Sequence, residues 1–126
     1  MQHLLVVAAG GAAGAALRHL VNLWTLRALG PGFPWGTLTV NLLGSLMMGV
    51  FIELLALKFQ GSTNLRLLVA TGMLGGFTTF SAFSLDLVVM IERGATATAA
   101  AYIGTSVIGG VIGLFLGLRL VRMVLV

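Results

Sequence analysis

Hydrophobic positions fall into four long blocks, each separated from the next by turn-forming or charged residues. The first block runs from about Leu4 to Leu29 and stops at Gly30-Pro31-Gly32-Phe33-Pro34, where two prolines cannot continue a helix. The second runs from about Gly36 to Leu57, ends at Lys58 and is followed by the loop Gln60-Gly61-Ser62-Thr63-Asn64. The third, about Leu65 to Ile91, closes at Glu92-Arg93-Gly94. The fourth, about Ala95 to Leu118, carries no charge before Arg119. A hydrocarbon core takes roughly 20 apolar residues to cross as a helix, so every block is long enough. The pattern predicts an all-α membrane protein of one domain, 1–126, with spans at about 4–29, 36–57, 65–91 and 95–118 and with both termini on one side.

Composition narrows the class. Of 126 residues 59% are hydrophobic and 8% charged, against about a quarter charged in soluble domains. That excludes a soluble enzyme, a nucleic-acid module and any sizeable domain outside the membrane. The net charge of +4 resides on Arg18, Arg27, Lys58, Arg66, Arg93, Arg119 and Arg122, scattered mostly near segment ends. They read as interfacial anchors, not as a basic patch for nucleic acid. With no cysteine, disulfides, thiolate metal sites and thiol nucleophiles are absent. Met1-Gln2-His3 lacks a basic n-region, so the first block reads as a retained span, not a signal peptide. Lys58, Arg66, Arg119 and Arg122 fall on the terminal side, Arg27 and Arg93 on the other. This weak asymmetry allows insertion either way round as well as one orientation held by a small margin.

Polar residues inside the spans are few and therefore informative. In the first span a run of small residues, Gly10 to Ala16, permits close backbone approach. Gly11, Gly14, Ala15, Arg18 and Asn22 share one face. Arg18 lies roughly 22 Å along the helix by its rise, a depth at which an arginine faces protein or water. It serves either as a positive charge favouring anions in a vestibule or as a structural group paired with Asp86 or Glu53. In the second span Thr37, Asn41 and Ser45 form a polar stripe at helical spacing. The Asn41 amide either joins two helices or donates N–H to a passing anion, and Glu53 reads as an interfacial carboxylate.

The third span carries Gly75-Gly76-Phe77-Thr78-Thr79-Phe80-Ser81-Ala82-Phe83-Ser84 at its middle. Two glycines followed by two β-branched threonines make a poor helix, and a broken span is tolerated only where the freed carbonyls find partners. A central cation held by backbone oxygen fits such a break; a continuous helix with a close-packed glycine pair is the other reading. Phe80 and Phe83, three apart, share a face, either as filler or as ring edges whose positive potential contacts an anion. In the fourth span Tyr102, Ser106, Gly110, Gly113 and Gly117 line one stripe, mostly packing surface, whose two hydroxyls extend a polar track.

Taken together these stretches resemble the Fluc family, also called CrcB, of small bacterial fluoride channels. Gly10 through Arg18 resembles its first-span motif, Gly36 through Ser45 its second-span signature around a buried Asn, and Gly75 through Phe83 its third-span break. Tyr102 and Ser106 are compatible with its fourth span. The sequence departs from the family at Ala82, where Thr is usual, and at His19, where an aromatic is typical. The resemblance implies a fluoride-specific channel in the bacterial inner membrane that lowers cytoplasmic fluoride passively, with no enzymatic activity. It implies an antiparallel, dual-topology homodimer with two pores between the subunits, in contact with the lipid bilayer. A structural sodium ion at the dimer centre would be held by the carbonyls of Gly75 and Thr78. By the same resemblance Phe80 and Phe83 line the anion path and Asn41 donates to the ion. Ser81, Ser106 and Tyr102 add polar contacts, and Arg18 offsets repulsion. Two other readings fit the span count: a small dual-topology multidrug exporter and a non-transporting scaffold subunit. The first wants a membrane carboxylate, and span one offers only Arg18. The second leaves the glycine break and the Asn41 stripe without a purpose.

Overall fold

A computed structural model describes the whole chain, Met1–Val126. Four helical segments are each long and apolar enough to cross a membrane: Gln2–Leu29, Trp35–Lys58, Thr63–Glu92 and Thr96–Leu125. The first two are continuous helices, α1 (Gln2–Leu29) and α2 (Trp35–Lys58). The third consists of a first turn α3 (Thr63–Leu65), a π-helical stretch Arg66–Leu74, a turn α4 (Gly75–Phe77) and, after a break, α5 (Phe80–Glu92). The last is α6 (Thr96–Leu125). The expected spans are all present.

Chain ends follow local chemistry. Gly30 at the end of α1 and Gly94 just after α5 take positive φ, 81° and 78°, a conformation that glycine adopts without a Cβ penalty. The Ser62 hydroxyl accepts from the Leu65 N–H and caps the start of the third segment. At the other end, α6 runs past the expected boundary at Leu118 to Leu125. Arg119 and Arg122 are good helix formers and carry their charge outward on long stems, so nothing there stops the helix. Arg122 pairs with Glu53 of α2 at 3.1 Å.

Large apolar side chains face outward, among them Ile108 and Phe115, each 62% exposed, as befits a bundle whose solvent is lipid. Inside, small residues set the helix spacing. Against the third segment, a Cβ added at Gly10 or Gly14 of α1 would collide with the backbone carbonyl of Leu68 or Met73. On the opposite side of the bundle, one added at Gly49 of α2 or Gly117 of α6 would collide with the carbonyl of Leu114 or Leu46. With little hydrophobic drive between helices in lipid, such backbone contact supplies the van der Waals packing that holds them together. The first-span run and the fourth-span stripe are therefore packing seams, α1 against the third segment and α2 against α6.

The break in the third segment lies two residues beyond the glycine pair. Gly75 and Gly76 are helical, whereas Thr78 (φ −85°, ψ 160°) and Thr79 (φ −151°, ψ 123°) are extended. Gly76 is needed for packing, since a Cβ there would press on the Gly11 carbonyl at 2.6 Å. The β-branched threonines take the extended conformation that suits them. Only α5 restarts the helix, with the Thr79 hydroxyl accepting from the Ala82 N–H as its N-cap.

Candidate functional site

Breaking a helix in the middle of a bundle frees backbone groups, and the neighbouring spans meet part of that demand. The Thr79 N–H donates to Asn41 Oδ1 at 2.7 Å, and Asn41 Nδ2 donates to the Thr79 carbonyl at 2.9 Å. This pair of bonds fixes the amide orientation, because a backbone N–H can meet only the oxygen. It also leaves the second hydrogen of Nδ2 unpaired. Arg18 Nε donates to the Gly76 carbonyl at 3.1 Å, and the Thr78 hydroxyl donates to the Leu74 carbonyl. The break is thus held from three spans: Arg18 on Gly76, Asn41 on Thr79, and Leu74 of its own span on Thr78.

Several carbonyls around the break stay without a backbone donor, Gly75 O and Thr78 O among them. Gly75 O would receive the Thr79 N–H in an unbroken helix, but that N–H is engaged by Asn41. Thr78 O would receive the Ala82 N–H, which goes instead to the Thr79 hydroxyl. Gly75 is exposed and Thr78 half-buried. These are the oxygens that the family resemblance implies as metal ligands, and neutral carbonyl oxygens suit a hard cation. No cluster of His, Cys, Asp or Glu offers a rival metal site.

Beside the break a cleft of about 380 Å³ opens between α2, α5 and α6, lined by Asn41, Ser45, Thr79, Phe80, Phe83 and Ser106 with Met48, Val107 and Leu114. Its polar groups are chiefly donors: the free Asn41 N–H and two serine hydroxyls. The Ser106 hydroxyl is buried without any hydrogen-bond partner, a state that costs free energy unless a ligand or water meets it. Phe80 and Phe83 lie with ring centroids 6.0 Å apart, tilted by 47°. Phe83 is buried, but Phe80 is 79% exposed on the outside of the bundle. Their shared face is real, and only one of them is core. Ser81 is exposed beside Phe80, its hydroxyl 3.5 Å from that of Thr79.

Tyr102 stands behind this cleft and not in its wall. It is fully buried, its ring 5.0 Å from Phe83 and 5.4 Å from Phe33, the latter edge-on. The Tyr102 hydroxyl donates to Asp86 Oδ2 at 2.9 Å. Of the two readings of Arg18, the pairing with Asp86 or Glu53 is corrected by the structure. Asp86 bonds Tyr102 and Glu53 bonds Arg122, while Arg18 reaches a backbone carbonyl, because the helix break supplies an acceptor closer than either carboxylate. Asp86 also lines a second cleft, about 430 Å³, at the end of the bundle away from the termini, with Asn22, Thr25, Thr37 and Arg93.

Asn41, Phe80, Phe83 and Ser106 therefore come together in one cleft, with Arg18, Gly75 and Thr78 around the adjoining break. Sequence reasoning passed over Thr79, whose backbone is what Asn41 holds. A β-branched pair after two glycines was the available signal. It also passed over Phe33, which no periodicity in a turn would reveal.

Comparison with known proteins agrees with the family resemblance. Residues 5–118 match the family model described as CrcB-like protein, Camphor Resistance (CrcB). A protein of Chelativorans sp. named Fluoride-specific ion channel FluC is 57% identical over 125 residues, 99% of this chain and 100% of its own length. Proteins of the same name from Mesorhizobium japonicum and Rhizobium etli are 56% and 52% identical over 122 residues, 97% of this chain and 98% of theirs.

Proposed function

The chain belongs to the CrcB family, and from that premise we propose that it is a fluoride-specific ion channel, a multi-pass membrane protein that lets fluoride leave the cell down its gradient. The observation that carries this reading is the donor-lined cleft at the break. Fluoride holds its water tightly, and a pore must replace that water without binding the ion too firmly for exit. The free Asn41 N–H, the unpartnered Ser106 hydroxyl and the edges of the Phe80 and Phe83 rings offer several weak favourable contacts in place of one strong charge. Arg18 adds positive potential beside the path without entering it, since its guanidinium is tied to the Gly76 carbonyl.

The functional unit in this reading is an antiparallel homodimer with two pores, each completed by the partner subunit. Supporting it, the protomer leaves Phe80, Ser81, Gly75, His19 and Asn22 exposed within the membrane-spanning helices. Polar groups at that depth are costly in lipid and want a protein cover. A sodium ion fits the same unit. The Gly75 and Thr78 carbonyls of one chain give two oxygens, and a second copy doubles the set to four neutral oxygens, the ligand type a hard cation takes. When bound, the ion would supply fixed positive charge at the dimer centre. Ser81 and Tyr102 complete the reading, Ser81 as a polar contact at the rim and Tyr102 as the support that holds the Phe83 ring.

Two experiments address this. Liposomes holding the purified protein should release trapped fluoride to an electrode far faster than protein-free liposomes, and equal release overturns the channel. For dual topology, the chain has no cysteine of its own, so single cysteines report cleanly. Gln2→Cys and Thr96→Cys, at exposed positions on opposite ends of the bundle, should each label partly from both faces of the membrane in cells. Labelling of each site from one face only contradicts the antiparallel arrangement.

A further inference from the structure

Ser45 belongs to no role assigned so far, yet its hydroxyl opens on the cleft. It makes no hydrogen bond, in contrast to Thr25, Thr78 and Ser84, whose hydroxyls bond back onto their own helices. On α2 it is one turn beyond Asn41, on the same face. Across the seam it faces Gly110 of α6, where a Cβ would lie 3.4 Å from the Ser45 oxygen, and Leu42 faces Gly109. That register sets Asn41 level with Ser106 and Ser45 one turn further toward the terminal end of the bundle. Beyond Ser45 the lining is Met48 and Leu114, which carry no donor.

Chemistry says what such a group would meet. The acceptors nearest the Asn41 level, its own Oδ1 and the Thr79 carbonyl, are each already satisfied by the other residue. An occupant of the cleft therefore finds an amide N–H that can only donate and two hydroxyls free to donate. That set can donate to an anion from three groups at once. Resting on the fluoride-channel reading, we propose that Ser45 is a further pathway residue, donating to fluoride as it moves on from the Asn41–Ser106 level, the last polar contact before the apolar wall. It passes the ion one helical turn along α2.

The test is fluoride efflux from liposomes for Ser45→Ala and for Ser45→Cys, which is slightly larger than serine but donates weakly. The parent protein and a chloride-loaded control run alongside. A parent that fails to conduct refutes the channel reading itself and is thereby distinguished from failure of this inference. With a conducting parent, both variants should lose on the order of tenfold in fluoride flux, the scale of one hydrogen bond to a charged group, with an unchanged size-exclusion profile. Should the alanine variant not assemble, the cysteine variant carries the test alone. Flux equal to the parent in an assembled variant overturns the proposal, because a Ser45 that only fills space or holds water would leave conduction intact.

Discussion

Asn41→Asp should abolish fluoride flux while the chain still folds and assembles. The substitution is nearly isosteric and keeps the acceptor for the Thr79 N–H, so one half of the paired bond survives. An ionised carboxylate cannot donate, however, so the Thr79 carbonyl loses its partner, at a cost of about 1–3 kcal/mol. The larger effect falls on the ion. A full negative charge about 4 Å from a fluoride repels it by roughly 4 kcal/mol at the effective dielectric of protein surfaces. Together with loss of the free N–H, this puts the expected flux more than about a hundredfold below the parent. Electrode traces in alkaline buffer, where the carboxyl is ionised, check it beside size-exclusion and circular-dichroism profiles. A folded Asn41→Asp protein that conducts within twofold of the parent would remove Asn41 from the pathway.

The second large effect separates ring chemistry from volume. Phe80 is 79% exposed on the single chain, so exchanging it for Ile removes little packing within that chain. Phe80→Ile should leave the melting temperature in detergent unchanged, yet reduce fluoride flux by at least about tenfold. The aliphatic chain has no positive edge to present to the ion. Phe83 is the harder case. It is 8% exposed and lies 5.0 Å from Tyr102, so Phe83→Ile carries both a flux loss and about 1 kcal/mol of lost stability. Comparing the two positions isolates the electrostatic effect. Parent-like flux in Phe80→Ile and Phe83→Ile would make both rings filler.

How much of this was legible beforehand differs by feature. The four spans could be read because length and apolar continuity are all that a helix in lipid requires. Only their ends moved, most visibly at Arg119 and Arg122, where charge marks the membrane boundary but not the helix boundary. The small-residue runs announced close packing, and Gly10, Gly14, Gly49 and Gly117 do meet backbone directly. What the order of residues could not place was the break itself. Both pairs, Gly75-Gly76 and Thr78-Thr79, weaken a helix, and the choice between them depends on α1, whose Gly11 carbonyl leaves Gly76 no room for a side chain. Arg18 shows the same limitation. Its depth was readable, but its partner is a carbonyl freed by the break, and no pairing rule based on opposite charges would find it. Asn41 was recognised as polar glue or as a donor, and the geometry lets it be both, through two different hydrogens of one amide.

The central claim is selectivity: a cleft of donors and ring edges serves fluoride and refuses the larger, differently hydrated halide. It is tested most directly by loading one batch of proteoliposomes with equal fluoride and chloride and following both ions with selective electrodes. The account predicts rapid release of the accessible fluoride with chloride retained at the protein-free level. Comparable release of both ions, or of neither, would contradict it.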